Sequence, residues 1–178
     1  MKKTILFCLV ILSTSLSAQW VKDSYYASAR FGLSAGSYAS ALGFGLDLEK
    51  ALTKGKDMYG PGSIGAGIGF DISLVPEQSS GSGTSNYSYY FLSLYGTYNF
   101  GPMMDDKRID PYFLIGFAPY MLHITKTDLL NRTTASNDFD VEFVGAFGLR
   151  FSLSQQWALH ARLGFGASVL TVGAQYTI

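Results

Sequence analysis

The stretch VEFVGAFGLRFSL, residues 141–153, alternates strictly between two kinds of side chain. Its odd positions are Val, Phe, Gly, Phe, Leu, Phe and Leu, whereas its even positions include Glu142, Arg150 and Ser152. A period of two is typical of a β-strand with one apolar face, because successive side chains of a strand point to opposite sides. This stretch therefore predicts a strand and assigns each of its side chains to one of two faces.

Seven further segments alternate in the same way, so that the chain contains eight predicted strands: 27–35, 42–48, 64–74, 90–100, 112–125, 141–153, 157–165 and 169–178. Only 112–125 is ambiguous, because it is apolar on both faces and contains Pro119. The two longest connections, 78–86 and 127–137, are polar and fall at one end of the predicted strands, whereas both chain termini fall at the other. An even-numbered up-and-down antiparallel barrel has this arrangement.

The face opposite the apolar one decides what surrounds the barrel. A soluble barrel carries Lys, Glu, Thr and Gln on its outside, but here the second face is mostly Gly, Ala and Ser, which suit the narrow lumen of eight strands. Only 15% of the residues are charged, and aromatic side chains cluster near the strand ends, as in the girdles of membrane barrels. The pattern predicts a transmembrane β-barrel with its apolar face towards lipid. The alternative is a lipocalin-like soluble barrel with that face inside.

A small set of charged side chains falls on the predicted lumen face: Arg30, Asp47, Glu49, Asp71, Glu142, Arg150 and Arg162. Both signs occur, so we expect them to pair and to close the lumen. Arg30 is expected to pair with Asp47 or Glu49 on the next strand. The two arginines of neighbouring strands, Arg150 and Arg162, need an acid between them, either Asp71 or Glu142. Exchanges between small residues on this face, such as Gly67→Ser, are expected to be mild.

Residues 1–18 are typical of a cleaved secretory signal peptide, with Lys2 and Lys3 before an apolar centre and small residues after it. A buried N-terminal strand is the alternative. The expected mature domain is 19–178. The single cysteine, Cys8, lies within the signal, so we expect no disulfide and no cysteine ligand or nucleophile in the mature protein.

The chain resembles the small outer-membrane β-barrels of the OmpA/OmpX type, and its C-terminus is similar to the family's insertion signal. That signal would be carried by Gly173, Tyr176 and Ile178, although Ile178 stands where Phe is usual. The resemblance implies a monomer in the outer membrane of a bacterium with two membranes, in contact with outer-membrane lipid and lipopolysaccharide. It also implies periplasmic chaperones and the barrel-assembly machinery as partners in biogenesis, and a structural role or recognition through surface loops.

Two other functions remain open at the level of sequence: a lipid-modifying enzyme similar to lipid A deacylases, and a small-solute pore. A deacylase would need a serine near His123, yet Thr125 is the hydroxyl residue two positions away. The two histidines lie on different predicted strands without a third ligand, so no metal site is predicted. A formal net charge of zero argues against nucleic-acid binding. We therefore expect no enzymatic activity and no cofactor.

Overall fold

The computed structural model describes residues 23–34, 41–53, 61–80 and 83–178. The predicted signal peptide lies outside these residues, as do 37–40 and most of 54–62, which the predicted strands leave as connections. The strands are β1 (Tyr25–Ser34), β2 (Ala41–Ala51), β3 (Ser63–Ser80), β4 (Gly83–Asn99), β5 (Ile109–Asp128), β6 (Thr133–Ser152), β7 (Trp157–Phe165) and β8 (Leu170–Thr177).

Each strand pairs antiparallel with the next one along the chain, and β1 pairs with β8, so the sheet closes into a barrel. The predicted fold, an all-β eight-stranded antiparallel up-and-down barrel, is therefore confirmed. A short 3-10 helix, Gly101–Met103, lies in the connection from β4 to β5. No helix in the described ranges is long and apolar enough to span a membrane.

The predicted faces are also observed. Apolar side chains such as Leu46 and Phe147 are about half exposed on the outside, at 50% and 56%, whereas Asp47 between two such residues is buried at 6%. The ambiguous segment resolves in the same way, with Tyr112 and Leu114 inside and Phe113 outside. An apolar surface on the outside of a closed barrel suits lipid and not water. The soluble-barrel alternative does not fit this arrangement.

Asp23 and Ile178, the first and last residues that the structure describes, lie at one end of the barrel, which we call the terminus end. There Ile178 donates a backbone hydrogen bond to the carbonyl oxygen of Tyr25, at 2.8 Å, across the closing seam. The Trp157 and Tyr176 rings are in contact on the outside, with centroids 5.0 Å apart, as expected of an aromatic girdle. The opposite end carries the β3–β4 and β5–β6 hairpins, and we call it the hairpin end.

The four middle strands are longer than predicted, and they include residues 78–80, 83–86, 127–128 and 133–137 of the polar segments expected to be connections. The last pair between β2 and β3 is Leu42 with Leu74, yet β3 continues to Ser80 paired with β4. Similarly, β6 begins at Thr133, although its pairing with β7 only starts at Gly145. The four strands β3–β6 therefore extend beyond the barrel rim as one sheet. We call this part, residues 75–80, 83–90, 119–128 and 133–143, the projecting sheet.

Candidate functional sites in the lumen and the projecting sheet

The middle of the lumen holds a cluster of two arginines and two aspartates. Arg30, on β1, donates hydrogen bonds to both Asp47 and Asp71, with its Nε 3.1 Å from Asp71 Oδ1. Arg162 reaches across the barrel from β7, and its Nη1 lies 3.0 Å from Asp47 Oδ2. Ser28 also donates to that oxygen, at 3.2 Å. All four charged side chains are buried, so their pairing offsets the cost of removing them from water.

A second cluster lies nearer the terminus end, around Arg150. Its guanidinium pairs with Glu49 at 2.7 Å and with Asp110 at 3.1 Å, and it donates to the amide oxygen of Asn99. Glu49 accepts a further hydrogen bond from Thr97. Each of the seven strands β1 to β7 therefore supplies at least one polar side chain to the two clusters, which tie opposite walls of the barrel together.

Tyr112 separates the two arginines that were expected to repel each other. Its hydroxyl oxygen accepts a 2.6 Å hydrogen bond from Arg162 Nε, and its ring lies under the Arg150 guanidinium, 4.0 Å from centroid to Cζ. The first contact is a hydrogen bond from a cation to the hydroxyl oxygen, and the second is a cation–π contact with the ring face. The expected separator was an acid, Asp71 or Glu142, so Tyr112 replaces it in this role.

Six of the seven predicted lumen charges lie in these clusters, and Glu142 does not. It is half-buried on β6, opposite Ala118 at the hairpin end, far along the strand from Arg150. The alternation places Glu142 on the inward face correctly, but β6 has already risen beyond the barrel rim there. Sequence reasoning also missed Asp110, which was assigned to a connection, and Tyr112, which carries no charge.

The lumen is polar only in part. Towards the hairpin end it is filled by an apolar cluster, in which Phe91, Tyr89 and Tyr95 are buried together with Leu114 and Val144. The Tyr89 and Phe91 rings stack with centroids 5.9 Å apart. The lumen therefore holds charged side chains in the two clusters and mainly aromatic and apolar ones towards the hairpin end. Strands β4 and β5 place large side chains at these inward positions, which the rest of the barrel fills with Gly, Ala and Ser.

Several lumen glycines give space to large side chains of the neighbouring strand. A Cβ built on Gly148 would lie 2.2 Å from the Tyr112 ring, and one on Gly67 would lie 2.5 Å from the Tyr95 ring. Each tyrosine is the direct cross-strand partner of its glycine. The glycines thus allow the aromatic rings to lie flat against the wall. The expectation that Gly67→Ser is mild is wrong for this reason.

Other chemistry is not apparent in the lumen. His160 is 3% exposed and contacts the wall at Gly173, whose added Cβ would lie 2.6 Å from its Nε2. Among residues 23–34, 41–53, 61–80 and 83–178, no three His, Cys, Asp or Glu side chains are grouped so that they could hold a metal ion.

The projecting sheet has two edge strands, and each carries a feature that hinders the addition of another strand. On β3, Pro76 lacks an N–H group and the pairing shifts between Val75 and Gln78. On β6, odd residues point their N–H groups away from β5, since Ser152 donates towards the β5 side and Leu153 towards β7. Beyond the end of β7, two of these outward N–H groups, those of Phe139 and Val141, donate to aspartate side chains.

Two aspartates cover the β6 edge. The backbone N–H of Phe139 donates to Asp138 Oδ1 at 3.1 Å, and that of Val141 donates to Asp140 Oδ1 at 2.7 Å. Burial raises the pKa of the neighbouring Tyr120 hydroxyl, and the carboxylates of Asp140, Glu142 and Asp138 raise it further. Because Pro76 interrupts one edge and the two aspartates cover the other, the faces and the tip of the projecting sheet are more open to a partner than its edges.

The tip of the β5–β6 hairpin is an ordered turn that exposes two leucines. Asp128 Oδ1 accepts backbone hydrogen bonds from Leu130 at 2.9 Å and from Arg132 at 2.8 Å, and Asn131 takes a positive φ of 58°. Leu129 and Leu130 are 75% and 72% exposed at this turn. An Asx-type turn holds its shape without help from other strands. The leucines are therefore presented in a fixed arrangement.

No protein-family model and no curated protein matches the sequence. Among solved structures, the N-terminal β-barrel domain of Pseudomonas aeruginosa OprF aligns at TM-score 0.54 with 13% identity, covering 88% of this chain and 98% of that one. Neisserial surface protein A aligns at TM-score 0.53 with 13% identity, covering 87% and 96%. The Yersinia pestis outer membrane protein Ail, in a phospholipid bilayer nanodisc, aligns at 0.51 with 14% identity, covering 88% and 100%. At such identities the likeness concerns the fold alone, and by that likeness the chain has the fold of the small eight-stranded outer-membrane β-barrels of the OmpA/OmpX type.

Proposed function

We propose that the protein is a monomeric barrel of the bacterial outer membrane that displays the projecting sheet outside the cell for recognition. The observation that carries this proposal is the combination of a lumen occupied by buried ion pairs and aromatic side chains with a sheet that continues past the rim on four strands. A barrel without a free passage is poorly suited to transport, whereas a rigid sheet above a membrane is suited to contact. Structural neighbours that are outer-membrane barrels support the location.

The proposed environment follows from the outer surface. The apolar band contacts the hydrocarbon of outer-membrane lipid, and lipopolysaccharide surrounds the base of the projecting sheet. Periplasmic chaperones and the barrel-assembly machinery would deliver and insert the chain, with Gly173, Tyr176 and Ile178 as the recognised terminal signal. In the structure these three residues belong to the seam, where Gly173 pairs with Arg30 and Tyr176 with Ala27. The signal residues therefore also serve barrel closure.

Orientation can be tested by labelling single cysteines on intact cells. Cys8 lies in the predicted signal, so a mature chain carrying Leu130→Cys has one thiol, at the hairpin tip. We expect a membrane-impermeant maleimide to label this variant on whole cells. The matched control, Ser154→Cys in the β6–β7 turn at the terminus end, should be labelled only after the outer membrane is permeabilised. The opposite result would reverse the orientation and remove the proposed display.

Recognition can be tested by shortening one hairpin without changing its register. Lys126 pairs with Thr134, so replacing residues 127–133 by Asn-Gly joins this pair through a two-residue turn. The shortened barrel should fold and change gel mobility on heating as the full chain does. Nanodiscs of both proteins would be compared on protein and glycan arrays. Ligands that bind the full chain and not the shortened one support recognition by the sheet, whereas identical profiles would refute it.

A further inference from the structure

The outward face of the projecting sheet carries a compact group of polar side chains on three neighbouring strands. On β5, Thr125 and His123 lie two residues apart and therefore share a face. The register places Asn86 and Ser88 of β4 directly opposite them on one side, and it places Asn137 of β6 opposite His123 on the other. Directly paired residues of antiparallel strands point to the same face. All five side chains consequently lie together.

Three of these side chains form a hydrogen-bonded chain. His123 Nδ1 lies 2.7 Å from Asn137 Oδ1, and His123 Nε2 lies 3.2 Å from Thr125 Oγ1. Because the amide oxygen of Asn137 only accepts, Nδ1 carries the hydrogen and donates it. In the neutral imidazole Nε2 is then the nitrogen without a hydrogen, and it accepts a hydrogen bond from the Thr125 hydroxyl. A hydroxyl, a neutral imidazole and an orienting acceptor in this order are the parts of an activated nucleophile.

We propose that this group hydrolyses carboxylic esters, with Thr125 as nucleophile, His123 as general base and Asn137 as the positioning residue for the imidazole. Thr125 Oγ1 attacks the ester carbonyl carbon while its proton passes to His123 Nε2. The bond to the alcohol oxygen then breaks, and that oxygen takes the proton from His123. Water, deprotonated by the same nitrogen, releases the acid from the acyl-threonine and restores the hydroxyl. The Asn86 amide and the Ser88 hydroxyl are the polar donors nearest in register for the developing oxyanion.

The neighbouring apolar side chains indicate the substrate class. Met121 lies two residues from His123 on the same face of β5. It pairs with Tyr90 of β4 on one side and with Phe139 of β6 on the other. Phe139 is 73% exposed, and Val141, two residues towards the barrel, is 60% exposed. This apolar strip continues from the polar group to the lipid-facing band. It suits an acyl chain that rises from the outer leaflet, so the expected substrate is the acyl ester of a membrane amphiphile.

This proposed activity is separate from the proposed recognition role and differs from the expectation that the chain is no enzyme. The same strand provides a matched control. Thr127 lies two residues from Thr125 on the same face, and its hydroxyl lies 3.3 Å from that of Thr133, with no imidazole involved. Thr127→Val therefore removes a hydroxyl from the same surface without touching the proposed nucleophile, base or positioning residue.

The test uses the full mature chain, folded in detergent micelles, with p-nitrophenyl butyrate and p-nitrophenyl dodecanoate as probes. We expect hydrolysis of both esters and a higher kcat/KM for dodecanoate, because its chain reaches the apolar strip. Thr125→Val and His123→Gln should each lower kcat/KM by about a hundredfold or more, the scale of general-base and nucleophilic catalysis. Thr127→Val should match the wild type. Thr125→Ser should be at least as active, since it keeps the hydroxyl and loses the crowding methyl group.

The role of Asn137 has its own readout. Asn137→Ala should lower kcat with little change in KM, and Asn137→Asp should recover kcat because a carboxylate also accepts from Nδ1. Gel mobility of unboiled samples verifies that each variant is folded. The proposal is overturned if the folded wild type hydrolyses neither ester faster than Thr125→Val, or if Thr127→Val loses as much activity. Labelling of Leu130→Cys on cells is independent of these rates, so the recognition proposal stands or fails separately.

Discussion

Replacing Arg30 by methionine tests whether the lumen charges are a paired structural core. Methionine keeps much of the aliphatic length of arginine, so the change mainly removes the guanidinium. That group donates to Asp71 twice and to Asp47 once. Asp47 keeps Arg162 at 3.0 Å and Ser28 at 3.2 Å. Asp71 loses the cation that it pairs with and remains 5% exposed, so most of the lost stability comes from its unpaired carboxylate.

Removing one partner of a buried ion pair costs about 3–5 kcal/mol, because the remaining charge has neither water nor a counter-ion. We expect Arg30→Met to lower the free energy of unfolding by an amount in this range. A second change, Asp71→Asn, removes the stranded charge and keeps a polar side chain of the same size. The double variant should therefore recover about 2 kcal/mol or more of that loss, since replacing both partners of a buried pair is often nearly neutral.

The assay is urea-induced unfolding in phospholipid vesicles, followed by tryptophan fluorescence and by the fraction of unboiled protein that keeps its folded gel mobility. The control is Arg108→Met, which breaks an ion pair with Asp106 on the terminus-end connection that is half exposed. Hydrogen bonds from Arg108 lower the pKa of Asp106, but water screens this pair, and little effect on unfolding is expected. If Arg30→Met unfolds like the wild type, or if Asp71→Asn lowers its stability further, the lumen pairing does not stabilise the barrel.

Three further predictions concern facing, closure and conduction. Leu46→Arg places a charge on the lipid face at mid-strand and should lower barrel stability in vesicles by about 2–4 kcal/mol. Leu52→Arg, near the terminus-end rim, should lower it by about 1 kcal/mol or less. Equal losses for the two variants would contradict the assigned depth. Deleting residues 176–178 removes the backbone bond from Ile178 to Tyr25, and immunoblots of cell fractions should show degradation and not a shortened barrel at normal surface levels. The wild type should show no sustained channels in planar bilayers, with occasional leak for Arg150→Ala, and stable ion-selective conductance of the wild type would favour the pore alternative.

The barrel and the direction of its faces could be predicted because both leave a signal with a period of two. Leu46 and Asp47 are adjacent in sequence and lie on opposite sides of the wall, so lipid and lumen select different residue types at neighbouring positions. The same signal fails beyond the rim. Residues 133–138 are exposed on both faces, so neither face selects apolar side chains and no alternation marks β6 there. Pairing with β5 continues nevertheless, because it depends on backbone groups.

The pairs inside the lumen could be predicted only where they join neighbouring strands. Arg30 and Asp47 lie on β1 and β2, and their pairing follows from the hairpin. The contacts of Glu49 with Arg150 and of Asp47 with Arg162 join residues 101 and 115 positions apart across the barrel. Such contacts depend on the tilt and stagger of closed strands, which an alternating pattern does not contain.

Tyr112 shows how glycine content and charge pairing are connected. Its ring occupies the space above Gly148, where any Cβ would overlap it, and from there it contacts both Arg150 and Arg162. Without that glycine the ring would have to move, and the two guanidinium groups would lose the group that separates them. Glycine at this position therefore has a specific role in electrostatics and is more than a filler of a narrow lumen. The same relation holds between Gly67 and Tyr95, and Tyr95 belongs to the apolar cluster towards the hairpin end. Cross-strand glycine–tyrosine pairs thus allow a barrel with this many small residues to have a filled interior.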